Sequence, residues 1–219
     1  MNANGNGREM DTDALVRTLA AENRPAADRH KVERSLALGA AAGLAGVVAA
    51  VLALGDVRPD LLETLGGAGL SKFGGGVALA AGAFHMLRRL GRPGTGAIDG
   101  LCLGLFALAA AIVAGVVATA QVTAPLDAVL RQTPRYAALM ILLSAIPLAT
   151  VLPALRVAAP TRPAGAGAAA GLLAGSLTAL GYALWCPADD ALFVAVSYGA
   201  AIATTALAGC LLGARVLRW

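Results

Sequence analysis

After a polar opening of 34 residues, apolar runs of about 20 residues alternate with short polar stretches to the end of the chain. A helix rises ~1.5 Å per residue and a bilayer's hydrocarbon core is ~30 Å thick, so each run is long enough to span one. The spans expected are Ser35 to Leu54, Phe73 to Leu90, Ile98 to Val122, Tyr136 to Leu155, Ala164 to Trp185, and Ala191 to Ala214. Prolines and charges punctuate them: Arg58-Pro59-Asp60, Arg92-Pro93-Gly94, Ala124-Pro125, Pro160-Thr161-Arg162-Pro163 and Cys186-Pro187. Pro147 and Pro153 fall inside the fourth span and predict a kink, since neighbouring helices can satisfy the freed carbonyls. The pattern therefore predicts an all-α fold: an integral membrane bundle of six transmembrane helices over 35–219, preceded by a tail over 1–34.

In the tail, Asp11-Thr12-Asp13 offers a helix N-cap and an acidic first turn, followed by Leu15, Val16 and Leu19 on one face. Asn23-Arg24-Pro25 ends this short amphipathic helix, and Asp28 to Arg34 forms a charged collar leading into the first span. The apolar stripe is too small to fold alone. It suits either docking into a partner's groove or lying on a membrane surface, and the residues leave both open.

Composition agrees with the pattern. Hydrophobic residues make up 58% and charged residues 14%, against about 25% charged in soluble domains, and mean hydropathy is +0.73. Alternating strand patterns of the barrel type are absent. The tail has no short apolar core or cleavage site of a removable signal peptide. Basic residues set the orientation. With the N-terminus inside, the inner face holds Arg17, Arg24, Arg29, Lys31, Arg34, Arg88, Arg89, Arg92, Arg156, Arg162, Arg215 and Arg218. The outer face holds only Arg58, Lys72, Arg131 and Arg135. Both termini are thus expected in the cytoplasm of a bacterium, with the chain in its inner membrane.

Candidate chemistry is sparse. Only His85 and Asp99 are ionisable within spans, both about one turn from the inner surface, and an ion-coupled carrier is expected to keep a charge deeper. Two histidines, His30 and His85, with no HExxH spacing and no paired carboxylates at depth build no hydrolytic or zinc site. No enzyme, metal site or cofactor is expected. Glycines four apart (Gly39/Gly43, Gly100/Gly104, Gly167/Gly171/Gly175, Gly209/Gly213) put small residues on one helix face. With six helices to assemble, packing within one bundle is favoured over a dimer stripe. Cys102 and Cys210 read as small core fillers. Cys186 opens the outer loop Cys186-Pro187-Ala188-Asp189-Asp190, where a thiol beside Asp189 and Asp190 could respond to oxidants or soft metals, or simply end a helix.

Several stretches resemble NrsF-type proteins, a family of six-span membrane anti-sigma factors. They are Tyr182-Ala183-Leu184-Trp185-Cys186-Pro187, Phe193 to Val196 with Tyr198-Gly199, Ala159 to Pro163, Arg58-Pro59-Asp60-Leu61, Asp13 to Ala20 and Leu217-Arg218-Trp219. The resemblance covers essentially the whole chain in order. It implies that the tail, through Asp13, Leu15, Val16, Arg17 and Leu19, binds an extracytoplasmic-function sigma factor and keeps it from RNA polymerase. It also implies that an envelope, redox or heavy-metal signal releases that partner, with Cys186, Asp189 and Asp190 as candidate sensor residues. The partners implied are a protein and the lipid bilayer, with no direct nucleic-acid contact. The family has a second outer cysteine at the start of the fourth span, where this chain has Tyr136. That weakens the case for an outer disulfide within one chain, and leaves a ligand-type response, an intermolecular Cys186 pair or a thiol-independent trigger. The rival reading from the residues is a small transporter or channel for an uncharged solute. It needs polar groups facing a pore, drawn from Ser144, Thr150, Ser176, Thr178, Ser197, Thr204 and Thr205.

Overall fold

The computed structural model describes residues 17–18, 29–55, 57–60, 68–90, 125–158, 160 and 162–217. Every regular element among them is helical. The helices are α1 (Arg29–Leu54), α2 (Ala68–Leu90), α3 (Leu126–Arg156), α4 (Pro163–Ala183) and α5 (Ala191–Val216), the last with a π-helical segment over Val194–Tyr198. α1, α3, α4 and α5 are long and apolar enough to cross a membrane. The second expected span is also a helix, α2, but it is not among those four. The third expected span, Ile98 to Val122, lies outside the described residues, as do Asp99 and Cys102.

Helix boundaries follow the punctuation, with one extension. α4 opens with Pro163 in its first turn, where a missing N–H costs nothing. α3 begins at Leu126, well before the expected Tyr136, and runs for 31 residues through Pro134, Pro147 and Pro153. At ~1.5 Å per residue it is about 46 Å long, more than a hydrocarbon core needs. The first turns, with Asp127 paired to Arg131 at 3.4 Å, are exposed. Arg131 and Arg135 therefore stand on the helix itself rather than in a loop.

α4 is the centre of the bundle, buried on nearly every side and packed against α1, α2, α3 and α5. Its glycines make that possible. A Cβ on Gly171 would lie 2.7 Å from the Ala206 Cα, and one on Gly213 would lie 2.6 Å from the Gly167 Cα, so the α4 and α5 backbones are in direct contact. Lipid provides no hydrophobic drive between helices, and such close approach supplies the van der Waals attraction instead. Gly39 and Gly43 do the same for α1 against Thr150 and Pro147 of α3. The four-residue glycine spacing in α1, α4 and α5 is thus used inside one bundle.

The serine and threonine hydroxyls that a pore would recruit bond to protein. The Ser144 and Thr205 hydroxyls meet at 3.0 Å, as do those of Thr133 and Ser197, joining α3 to α5. Thr150 donates to the Gly39 carbonyl at 2.7 Å. Ser176, Thr178 and Thr204 donate to carbonyls of their own helices.

Two apolar clusters divide the bundle along its length. One gathers Leu36, Leu87, Val151, Leu155, Leu173 and Leu217. The other gathers Val47, Met140, Tyr182, Cys186, Phe193 and Tyr198, with Tyr136 and Trp185 against it. All three tyrosines of the chain therefore stand at one end, as expected of residues placed at a membrane–water boundary.

Candidate functional site: a buried ion cluster at the Cys186 end

The turns that link the helices at the tyrosine end carry the only closely knit charged group among the described residues. After α1, Gly55 closes onto Val51, and the Arg58 N–H donates to the Leu184 carbonyl at 3.2 Å. That bond pins the α1 exit against the end of α4. It also turns the Arg58 side chain under the loop that joins α4 to α5.

The Arg58 guanidinium sits between two carboxylates. Its Nε and Nη2 donate to Asp60 at 2.8 and 2.7 Å, and its Nη1 and Nη2 donate to Asp189 at 2.9 and 2.6 Å. Nη1 also reaches the Cys186 carbonyl at 3.2 Å. Two forked carboxylate contacts use the planar donor set of arginine in a way lysine could not reproduce. Hydrogen bonds to Asp60 and then Asp189 hold the Arg58 proton above the ordinary arginine value.

Lys72, from the first turn of α2, approaches the same loop from the other side. Its Nζ donates to the Cys186 carbonyl at 2.9 Å, the Ala188 carbonyl at 3.0 Å and Asp189 at 3.2 Å, and lies 5.4 Å from the centre of the Tyr198 ring. Three oxygens match the three donors of an ammonium. The side chains of Lys72 and Arg58 are 1% and 3% exposed, whereas Asp189 keeps 19% and Asp60 48%. Among the described residues, two cations face two carboxylates, so each buried charge has a partner, which burial requires. Burial would raise the Asp189 carboxyl, but hydrogen bonds from Arg58 and the nearby Lys72 ammonium outweigh it, holding the carboxyl below the usual range.

The three candidate sensor residues thus do three different things. Asp189 is the shared acceptor of both cations. Asp190 caps α5, accepting from the Phe193 N–H at 3.0 Å. The Cys186 thiol is fully buried, and what the residue offers the ion cluster is its carbonyl. Cys210, the other described cysteine, follows Ala191 by nineteen rises of α5, about 28 Å along the helix. Those two thiols cannot meet within one chain. No group of three or more His, Cys, Asp or Glu that could hold a metal occurs among the described residues. Tyr136 packs edge-on against Phe193 at 5.1 Å, so it supports the α3–α5 contact beneath the loop.

Arg58 and Lys72 are the residues that sequence reasoning passed over, reading them as two outer-face charges. The signal was available: both are isolated basic residues flanking helix ends on the face poorest in them, beside a loop with two aspartates.

Of the tail residues, Arg17 lies with Thr18 in a described helical turn and is exposed. Asp13, Leu15, Val16 and Leu19 lie outside the described residues. The end opposite the cluster holds another ion pair, Arg88 Nη2 to Glu33 Oε1 at 2.8 Å, linking α2 to α1.

Comparison with known proteins gives a match over nearly the whole chain. Residues 19–219 match the family NrsF, described as negative regulator of sigma F. A protein of Azospira oryzae named as a probable anti-sigma-F factor NrsF is 35% identical over 218 residues, covering 96% of this chain and 100% of that protein. The anti-sigma-F factor NrsF of Caulobacter vibrioides is 35% identical over 225 residues, with the same coverage. No solved structure matches the fold.

Proposed function

Because the chain belongs to the NrsF family of negative regulators of sigma F, we propose that it is a membrane-embedded anti-sigma factor. It holds an extracytoplasmic-function sigma factor through its N-terminal tail and releases it on a signal read at the Cys186 end. The observation that carries the proposal is the match over 96% of the chain to two anti-sigma-F factors.

Physical features support the finer reading. Four helices have the length and hydropathy of spans. Leu90 closes α2 at the Glu33–Arg88 end, whereas Leu126 opens α3 at the Cys186 end. Chain connectivity therefore favours the expected crossing at Ile98 to Val122, and with it six spans. Lys31, Arg34, Arg88, Arg89, Arg156, Arg162 and Arg215 all lie toward the end where α1 begins, which the positive-inside rule assigns to the bacterial cytoplasm. In that orientation the tail, with Asp13, Leu15, Val16, Arg17 and Leu19, faces the compartment of RNA polymerase. The partner is a protein; the mechanism needs no nucleic-acid contact, metal or cofactor. The transporter reading gains nothing from the bundle, since each polar side chain it would recruit is hydrogen-bonded within the protein.

The test is co-purification of the tagged full chain from membranes, wild type against the double variant Leu15→Asp/Leu19→Asp. A sigma factor is expected with wild type and lost with the variant, since an unpaired charge buried in a contact opposes it. Absence of any sigma factor from wild type, in cells that express one, would refute the proposal.

A further inference from the structure

Two ion-paired groups of the described bundle, one at each end, share the same pair of helices. At the Cys186 end, Arg58 carries the exit of α1 and Lys72 the first turn of α2, and both hydrogen-bond to Asp189 in the α4–α5 loop. At the other end α1 and α2 are joined directly by Glu33 and Arg88 at 2.8 Å. Along α1, contacts are made by small residues and a ridge of Val32, Leu36, Val47 and Val51, with Leu44 packed against the core. Of the four spans α1 is the least buried, 22% of its most apolar stretch against 50% for α3, 72% for α4 and 28% for α5. Its position therefore depends on its end contacts as well as on packing against α3 and α4.

α1 is also the helix that the tail enters. A continuous helix of 26 residues is stiff over its length, so displacement at Leu54 is carried to Arg29. From these observations we infer that Asp189 is the outer latch of a two-ended ionic linkage: it fixes α1 and α2 to the α4–α5 loop, and its opening repositions α1 and the tail that α1 carries, with Glu33–Arg88 as the inner half of the same linkage.

The inference rests on the anti-sigma reading and adds the residues through which one end of the bundle acts on the other. A bistable element of this kind needs a contact that is strong when closed and leaves no orphan when open. The cluster meets that condition. With Asp189 withdrawn, Arg58 retains Asp60, and Lys72 retains the carbonyls of Cys186 and Ala188.

The experiment uses the full chain in cells carrying a reporter driven by the sigma factor, with co-purification and membrane abundance measured alongside. Asp189→Asn is expected to raise the reporter ~10-fold without signal, within the usual range of coupling between sites. Asp127→Asn, in the exposed pair that opens α3, is expected to leave it unchanged. Arg88→Gln should raise the reporter like Asp189→Asn. The double variant should exceed neither single by much, because both open one linkage. Lys72→Gln is the second outer variant, for use if Asp189→Asn fails to reach the membrane. Wild-type repression in the outer variants at normal abundance overturns the inference, as do effects of Asp189→Asn and Arg88→Gln that simply multiply. If wild type itself retains no sigma factor, the anti-sigma reading falls, and this inference with it.

Discussion

Replacing either buried cation by methionine, similar in length and apolar, should destabilise the bundle, and the order of the two losses follows from the geometry. Lys72→Met removes three hydrogen bonds. Afterwards the Cys186 carbonyl and Asp189 still have Arg58, leaving the Ala188 carbonyl without this donor. Hydrogen bonds to charged groups contribute about 1.5–3 kcal/mol each in mutational series, but relief of the lysine's own desolvation offsets part of that. A net loss of ~2 kcal/mol is expected. Arg58→Met removes at least five hydrogen bonds at once, among them two to each carboxylate and one to the Cys186 carbonyl. It leaves two carboxylates facing one ammonium. Asp60, half exposed, can hydrate, so the cost concentrates on Asp189 and approaches the ~3–5 kcal/mol of a broken buried pair. The assay is denaturant unfolding of the purified protein in detergent micelles, followed by the fluorescence of Trp185 beside the cluster. Equal losses, or a larger loss for Lys72→Met, would refute the argument that Arg58 is the cluster's centre.

At the α4–α5 seam, Gly171→Leu places a side chain where even a Cβ meets the Ala206 Cα at 2.7 Å, so the two backbones must part. It should fail to accumulate in membranes, while Gly74→Leu, whose Cβ position meets nothing within 4 Å, should accumulate normally. The acid limb of stability should carry the signature of Asp189. Its carboxyl lies lower in the folded state than in the unfolded one, so its contribution is complete above about pH 4 and lost as the pH falls through the folded value. Melting temperatures measured downward from about pH 6 should therefore fall less steeply below pH ~4 in Asp189→Asn than in wild type. An unchanged acid limb would show that Asp189 is not held as described.

Much of this protein follows from the chain read in order. Apolar runs of spanning length, ended by Arg-Pro, Ala-Pro and Cys-Pro, determine the helices and their approximate ends, because backbone hydrogen bonds in lipid have no partner but the helix itself. The glycine spacing in α1, α4 and α5 announces close helix contacts, whereas the cap that Asp190 provides to α5 emerges only in the structure. Motif order along the chain is enough to place it in its family. What the order of residues leaves undecided is which separate segments meet. Arg58 and Asp189 are 131 positions apart, and Lys72 and Asp189 117. Neither distance has any periodicity to betray it. Their pairing depends on the parallel course of α1 and α4 with α2 antiparallel to both, which brings helix ends together at one level of the bundle. The same stacking decides that the Cys186 thiol is buried while its carbonyl faces two cations. A sequence records which groups could carry charge, but whether a charge is solvated or sealed beneath a loop depends on the elements around it, and only the tertiary structure supplies those.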